Sequence, residues 1–187
     1  MRADVERWDR KYAELSVVAT PAPEPLLRRF RQLLDGHGRA LDLACGLGGN
    51  TVLLASLGYA VVGIDASLVA LRRCREALAA QGLTADLIAA DLDRFPLPGQ
   101  YFDLMVVVRY LNRALVPALR ASLRPGGLLI YQTFNRNVLR RRPGFPAEFT
   151  LEFGELSRLF AGFDIIASND ASEMSDDQSW LVARRNR

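Results

Sequence analysis

The stretch Leu41-Asp42-Leu43-Ala44-Cys45-Gly46-Leu47-Gly48-Gly49-Asn50 constrains this chain more than any other. A short apolar run, Ala40 to Cys45, carries one acid and breaks into glycines, and a helical pattern starts near Asn50. A buried strand, a glycine turn and a helix start form a loop whose backbone N–H groups can approach a ligand closely. By itself the loop says only that a nucleotide-like ligand would fit.

The rest of the chain repeats the alternation. Strands are expected at Ala40–Cys45, Ala60–Asp65, Ala85–Ala90, Phe102–Val108 and Leu128–Phe134. Helices are expected over Thr51–Leu57, from the Ser67 cap to Ala80, and over Ala114–Leu123 with Pro117 in its first turn. Near-continuous apolar strands joined by helices imply a parallel sheet covered on both faces. After a short helix at Gly154–Phe160, Phe163–Ala167 and Trp180–Ala183 read as strands with no helical pattern between them, an antiparallel hairpin. Before the first strand, Arg2–Leu15 reads as a helix with Trp8 and Tyr12 on one face, Thr20–Pro25 as a stiff connector, and Leu26–Leu34 as an amphipathic helix. The expectation is a three-layer α/β sheet of mostly parallel strands in a single domain, 1–187, with 1–38 a helical cap and 39–187 the core.

Length and composition agree. The chain has 187 residues, half of them apolar, which suffices for a full core. No apolar run is long enough to span a membrane, and the charged first dozen residues cannot form a signal-peptide core, so the expected compartment is the cytoplasm. Cys45 and Cys74 lack zinc-like spacing and read as reduced thiols. The single histidine, His37, excludes a His-rich metal site. A net charge of +3 does not argue for nucleic acid.

In an open parallel sheet the ligand lies beyond the carboxyl ends of the strands. The first strand ends in the glycine loop, the second at Asp65, the third at Asp91, the fourth at Arg109-Tyr110. An acid after the second strand can accept both hydroxyls of a ribose. An acid after the third can accept the exocyclic amine of adenine while the next N–H, that of Leu92, donates to a ring nitrogen. Loop, acid, acid is a plan for an adenosine.

This order resembles the class I S-adenosylmethionine-dependent methyltransferases, over nearly the whole chain from Trp8 to Arg185. Leu41 to Gly48 is similar to their first motif, with Ala44 in place of the usual first glycine. Leu123-Arg124-Pro125-Gly126-Gly127 resembles the turn before their fifth strand. Trp8-Asp9-Arg10-Lys11-Tyr12, Pro23-Glu24-Pro25-Leu26-Leu27, and Arg142-Pro143 through Phe149 with Gly154-Glu155-Leu156 are similar to a small-molecule branch, the tellurite-resistance-type proteins. The resemblance implies the Rossmann-like seven-stranded sheet and S-adenosylmethionine as cofactor. It implies cofactor contacts from Tyr12, Asp42, Ala44, Cys45, Gly46, Gly48, Asn50, Asp65, Ala66, Asp91, Leu92, Val108 and Arg109. Asn50 fits a helix cap equally well.

The implied reaction is in-line displacement at a sulfonium methyl, which needs alignment more than any one side chain, so no catalytic residue is assigned. A thiolate or a selenium or tellurium oxyanion would need little base assistance. Substrate contacts are expected from Trp8, Tyr110, Arg113, Phe134, Arg136 and Arg142; the triplet Arg140-Arg141-Arg142 reads equally as a solvated basic loop. The expected partner is a small methyl acceptor rather than nucleic acid or membrane. Three rivals remain: a non-catalytic cofactor-binding protein, an RNA or protein methyltransferase, and a nicotinamide dehydrogenase. Against the last, Thr51 stands where close helix packing wants Gly or Ala.

Overall fold

Apolar β-branched runs such as Val61-Val62-Gly63-Ile64 and Val106-Val107-Val108 favour extended, two-sided burial. In the computed structural model they are strands. The structure describes residues 2–14, 21–171 and 176–187. It forms two compact units, Met1–Phe95 and Pro96–Arg187.

The first unit holds three parallel strands, β1 (Arg39–Leu43), β2 (Ala60–Asp65) and β3 (Asp86–Ala89). They lie in the order β3-β2-β1, with Asp42 beside Gly63 and Asp65 beside Ala89. Its helices are α1 (Arg2–Glu14), α2 (Pro25–Arg29), α3 (Gly49–Ser56) and α4 (Leu68–Ala79). Ser67 caps α4 by accepting the Ala70 N–H at 3.1 Å. Val52 of α3 packs on Cys74, Ala77 and Leu78 of α4, while Leu41, Leu43, Leu54 and Ile64 are fully buried. Together these apolar contacts fix both helices against the strands. The helix expected over 26–34 is shorter: α2 ends at Arg29 and a 3-10 turn follows at Arg31–Leu33. Residue 15, the last of the expected first helix, lies outside the described residues.

The second unit holds β4 (Phe102–Val108), β5 (Leu123–Phe134), β6 (Phe163–Ser168) and β7 (Gln178–Arg185), ordered β4-β5-β7-β6. β5 runs parallel to β4, and β7 antiparallel to both β5 and β6. The Arg124–Gly127 turn loops out of the ladder: Phe102 pairs with Leu123, but Leu104 pairs with Leu128. The helices are α5 (Val116–Ser122, Pro117 in its first turn), α6 (Val138–Arg141) and α7 (Glu155–Leu159). Neither α6 nor a 3-10 turn at Ala147–Phe149 was expected from periodicity; both are a single turn, too short to leave a helical repeat. Phe102, Leu119, Tyr131 and Phe160 form the centre of this core. No helix among the described residues is long and apolar enough to cross a membrane.

Candidate cofactor and acceptor site

In the first unit, β1 delivers Asp42 to a fully enclosed position and the chain then turns through three left-handed residues, Ala44 (φ 57°), Gly46 (φ 54°) and Gly48 (φ 86°). Gly48 leaves no room for a side chain: a Cβ there would sit 2.2 Å from the Cys74 sulfur. Ala44 adopts the same region with its methyl group, a conformation that costs an L-residue roughly 1–2 kcal/mol. Cys45 and Cys74 are free, buried thiols.

Two carboxylates face this loop. Asp65 ends β2 and is 7% exposed. Its Oδ2 accepts the Gly46 N–H at 2.8 Å and its Oδ1 the Ser67 N–H at 2.9 Å. Burial pushes its carboxyl above the ordinary range, against the pull of those N–H groups. Asp42 is more extreme. Burial pushes it up to about 7, and only the Thr51 and Asn50 side chains and the Thr51 backbone hold it down, while Asp65 adds repulsion. Thr51 Oγ1 donates to Asp42 Oδ2 at 2.6 Å. Among the described residues neither carboxyl is in an ion pair, and no cation is among the leading causes of either shift.

Asn50 does not cap α3. The cap position is Gly48, and Asn50 Oδ1 instead accepts the Glu24 N–H at 2.9 Å, pinning the proline-rich connector to the loop. The first helix closes over the same region. Asp9 accepts hydrogen bonds from Ser67 Oγ and, at 3.4 Å, from the Val69 N–H. Tyr12 stands over Gly46, with its hydroxyl 3.0 Å from where a Cβ would be. Trp8 stacks on Tyr12 at 5.7 Å and receives Lys11 over its ring at 4.2 Å. Asp91 follows β3 and shapes its own turn, accepting the Asp93 N–H at 3.2 Å; Leu92 is buried, and the Ala90 N–H donates to the Asp65 carbonyl at 3.1 Å. Thus the first unit brings Tyr12, Asp42, Ala44 to Asn50, Asp65 and the segment after β3 to one rim of its strands.

In the second unit, Val108 ends β4 and Arg109 turns sharply (φ 56°) while its N–H donates to the Gln132 carbonyl at 2.8 Å. The Tyr110 carbonyl accepts the Tyr131 hydroxyl at 3.0 Å. Phe134, at the carboxyl end of β5, meets Phe145 edge-on at 5.0 Å and carries Arg142 over its ring at 5.6 Å. Arg136 pairs with Glu152. Arg113 is occupied differently. Its Nε and Nη2 clamp Glu155 at 2.6 and 3.0 Å, and Nη1 and Nη2 also bind the Glu148 and Thr150 carbonyls. It braces the segment 148–155.

Asp9, Thr51 and Phe145 were not among the expected site residues. Nothing local marks Asp9, whose partner is 58 residues away. In the sequence Thr51 stands out only as a mismatch to the dehydrogenase pattern.

A model described as "Methyltransferase domain" matches residues 40–127. Trans-aconitate 2-methyltransferase from Azoarcus sp. (strain BH72) is 33% identical over 151 residues, 73% of this chain and 57% of the relative. The chain thus carries a methyltransferase domain and is similar in sequence and fold to S-adenosylmethionine-dependent methyltransferases. Among solved structures, an S-adenosylmethionine dependent methyltransferase from Mesorhizobium loti superposes with a TM-score of 0.68 at 22% identity, covering 86% of this chain and 96% of that one. TehB from Haemophilus influenzae gives 0.75 at 16% identity over 97% of this chain and 67% of its own. Both share the seven-stranded methyltransferase fold. The chain spans roughly half the length of the curated relatives it matches.

The methyltransferase cofactor is S-adenosylmethionine. The residues present fit it. Two buried carboxyls that form no ion pair among the described residues suit a ligand bearing sulfonium and ammonium charges. Asp65, with one N–H on each oxygen, retains acceptor capacity for hydroxyls.

Proposed function

We propose that this protein transfers the methyl group of S-adenosylmethionine to a small-molecule acceptor, and that both units belong to one catalytic domain. The observation that carries the reading is Asp42: a fully buried carboxyl pushed to about 7 in a glycine cradle, which a cationic cofactor would ionise. When bound, S-adenosylmethionine supplies an already activated methyl group, so the protein's work is binding, alignment and exclusion of water. Asp65 would hold the ribose hydroxyls, Asp91 and the Leu92 N–H the adenine, and Asp42 the positive charge of the methionine portion. Tyr12, standing over Gly46, excludes water from the loop.

For the acceptor we favour a small anion: a thiolate, a carboxylate or a chalcogen oxyanion. Arg142 beside Phe134 and Phe145 offers a cation next to an apolar wall, suited to such a group. The relative named for trans-aconitate supports a small acid as acceptor. We assign Arg109, Tyr110, Phe134, Arg136 and Arg142 to the acceptor, Arg113 to bracing the adjoining segment, and location in the cytoplasm.

Titration calorimetry with S-adenosylmethionine and S-adenosylhomocysteine tests the cofactor, with NADH as control. Heat from NADH alone would overturn the reading. Mass-spectrometric detection of methylated products across thiols, carboxylates, selenite and tellurite tests the acceptor. Cofactor binding with transfer only to RNA or protein would refute a small-molecule acceptor.

A further inference from the structure

The second unit carries a cavity of about 590 Å³ at the surface of α5, whose lining includes four arginines and no acidic residue. Arg113 is neutralised there by Glu155. The other three form no ion pair among the described residues, although Glu155 also acts on Arg158 at longer range. Arg120 donates from Nη1 to the Leu159 carbonyl at 2.9 Å and from Nη2 to the Ala161 carbonyl at 2.7 Å. Arg185 donates from Nη1 to the carbonyls of Arg120, Ala121 and Leu123. Arg158 makes one long bond, 3.3 Å, to the Phe153 carbonyl. Among the described residues none of the three is in an ion pair within 4 Å.

Carbonyl bonds orient a guanidinium without cancelling its charge. They also engage only part of its five donors: Nη1 alone is used on Arg158 and on Arg185. The charges of Arg120 and Arg185, with Arg158 partly offset by Glu155, thus converge on a concave surface, where low-dielectric walls strengthen their field. The rest of the lining is apolar. Val116 and Pro117 form part of it, and Phe163 lies flat under Arg120, whose guanidinium carbon is 5.1 Å from the ring centre. The volume falls within the range of small-ligand pockets, ~300–1,000 Å³. Position separates it from the proposed acceptor site. Arg184, the neighbour of Arg185, pairs with Leu128 at the start of β5's main ladder, whereas Phe134 is at the far end of that ladder.

We infer that this cavity binds a small organic anion with a flat apolar body, an aryl phosphate or aryl carboxylate, its oxyanion on Arg120, Arg158 and Arg185 and its ring on Phe163 and Pro117. An inorganic anion satisfies only the charged half and a neutral ring only the apolar half, so both should bind more weakly.

The full-length protein, labelled with ¹⁵N, is titrated with 1-naphthyl phosphate, 1-naphthoate, 2-naphthol and inorganic phosphate at physiological salt. Saturable amide shifts confined to 116–121 and 158–163 are expected with one or both naphthyl anions, which distinguishes a phosphate from a carboxylate ligand. Inorganic phosphate and naphthol should bind at least about tenfold more weakly. Arg120→Gln should weaken the preferred anion about tenfold. Because Arg120 also ties α5 to the end of α7, Arg158→Gln serves as the second variant; it sacrifices one long bond on an exposed residue and should weaken binding similarly. S-adenosylmethionine affinity should stay unchanged in both, so failure here is separable from failure of the cofactor reading. No saturable shift with either naphthyl anion, shifts mapping elsewhere, unaltered binding in Arg158→Gln, or equal affinity for inorganic phosphate would each overturn the inference. So would displacement of the naphthyl anion by a short RNA that binds more tightly.

Discussion

Thr51 Oγ1 donates to Asp42 Oδ2 across 2.6 Å, and both residues are essentially inaccessible to solvent. The bond ties the first turn of α3 to the end of β1 and makes ionisation of Asp42 less costly. The sign of the pH effect follows. An acid whose folded pKa is about 7 against 3.8 unfolded favours the folded state below 3.8, and that advantage is lost as pH rises to about 7. A cationic cofactor binds the ionised form, so its affinity should rise as pH approaches 7, by up to about tenfold per unit, and flatten above 7. Calorimetry in buffers of different ionisation enthalpy should detect proton release on binding near pH 6. Asp42→Asn should abolish the pH dependence, and Thr51→Val should shift its upper limit to higher pH. A flat profile in the wild type would show that Asp42 does not meet the cofactor's charge.

Asp65→Ala should weaken cofactor binding by about 1–3 kcal/mol through loss of charge-assisted hydrogen bonds. The same substitution orphans the N–H groups of Gly46 and Ser67, so stability should fall too. Asp65→Asn restores one of the two acceptors without the charge and sets its NH2 against the other N–H, so it should recover only part of the stability and little of the affinity. Unchanged affinity in both variants would remove Asp65 from the site.

Removing Asp9 should loosen the cover over the loop. It is the acceptor for Ser67 Oγ and the Val69 N–H, and Asp9→Ala should cost roughly 1 kcal/mol. Hydrogen exchange over residues 5–14 should accelerate, and cofactor should dissociate faster with little change in its association rate. Tyr12→Phe keeps the ring above Gly46 and should leave exchange near wild type. Exchange unaltered in Asp9→Ala would mean that other contacts hold the helix.

Ala44 and Gly48 make opposite predictions on one loop. Ala44→Gly relieves a left-handed alanine, worth roughly 1–2 kcal/mol, against about 0.5–1 kcal/mol of added chain entropy, for a net gain of about 0.5–1 kcal/mol. Gly48→Ala places a methyl group 2.2 Å from the Cys74 sulfur at φ 86° and should destabilise by at least ~2 kcal/mol. Denaturant unfolding of both variants measures the difference.

The features legible from the residues alone were local or periodic. Apolar runs joined by helices gave the parallel order, Ser67 the start of α4, Pro117 the first turn of α5, and the glycines the loop after β1. Each of these depends on neighbours within a few positions, which is the reach of strand and helix periodicity. Tertiary structure decided who faces whom. It put Asp9 on Ser67, Tyr12 over Gly46, Thr51 on Asp42, and Arg113 on Glu155. It assigned Asn50 to the connector instead of the helix cap, because Gly48 already turns the chain. It also gathered Arg120, Arg158 and Arg185, scattered over 65 residues, around one cavity. Such pairings depend on how elements pack, and a hydrogen-bonding side chain carries no mark of a partner tens of residues away.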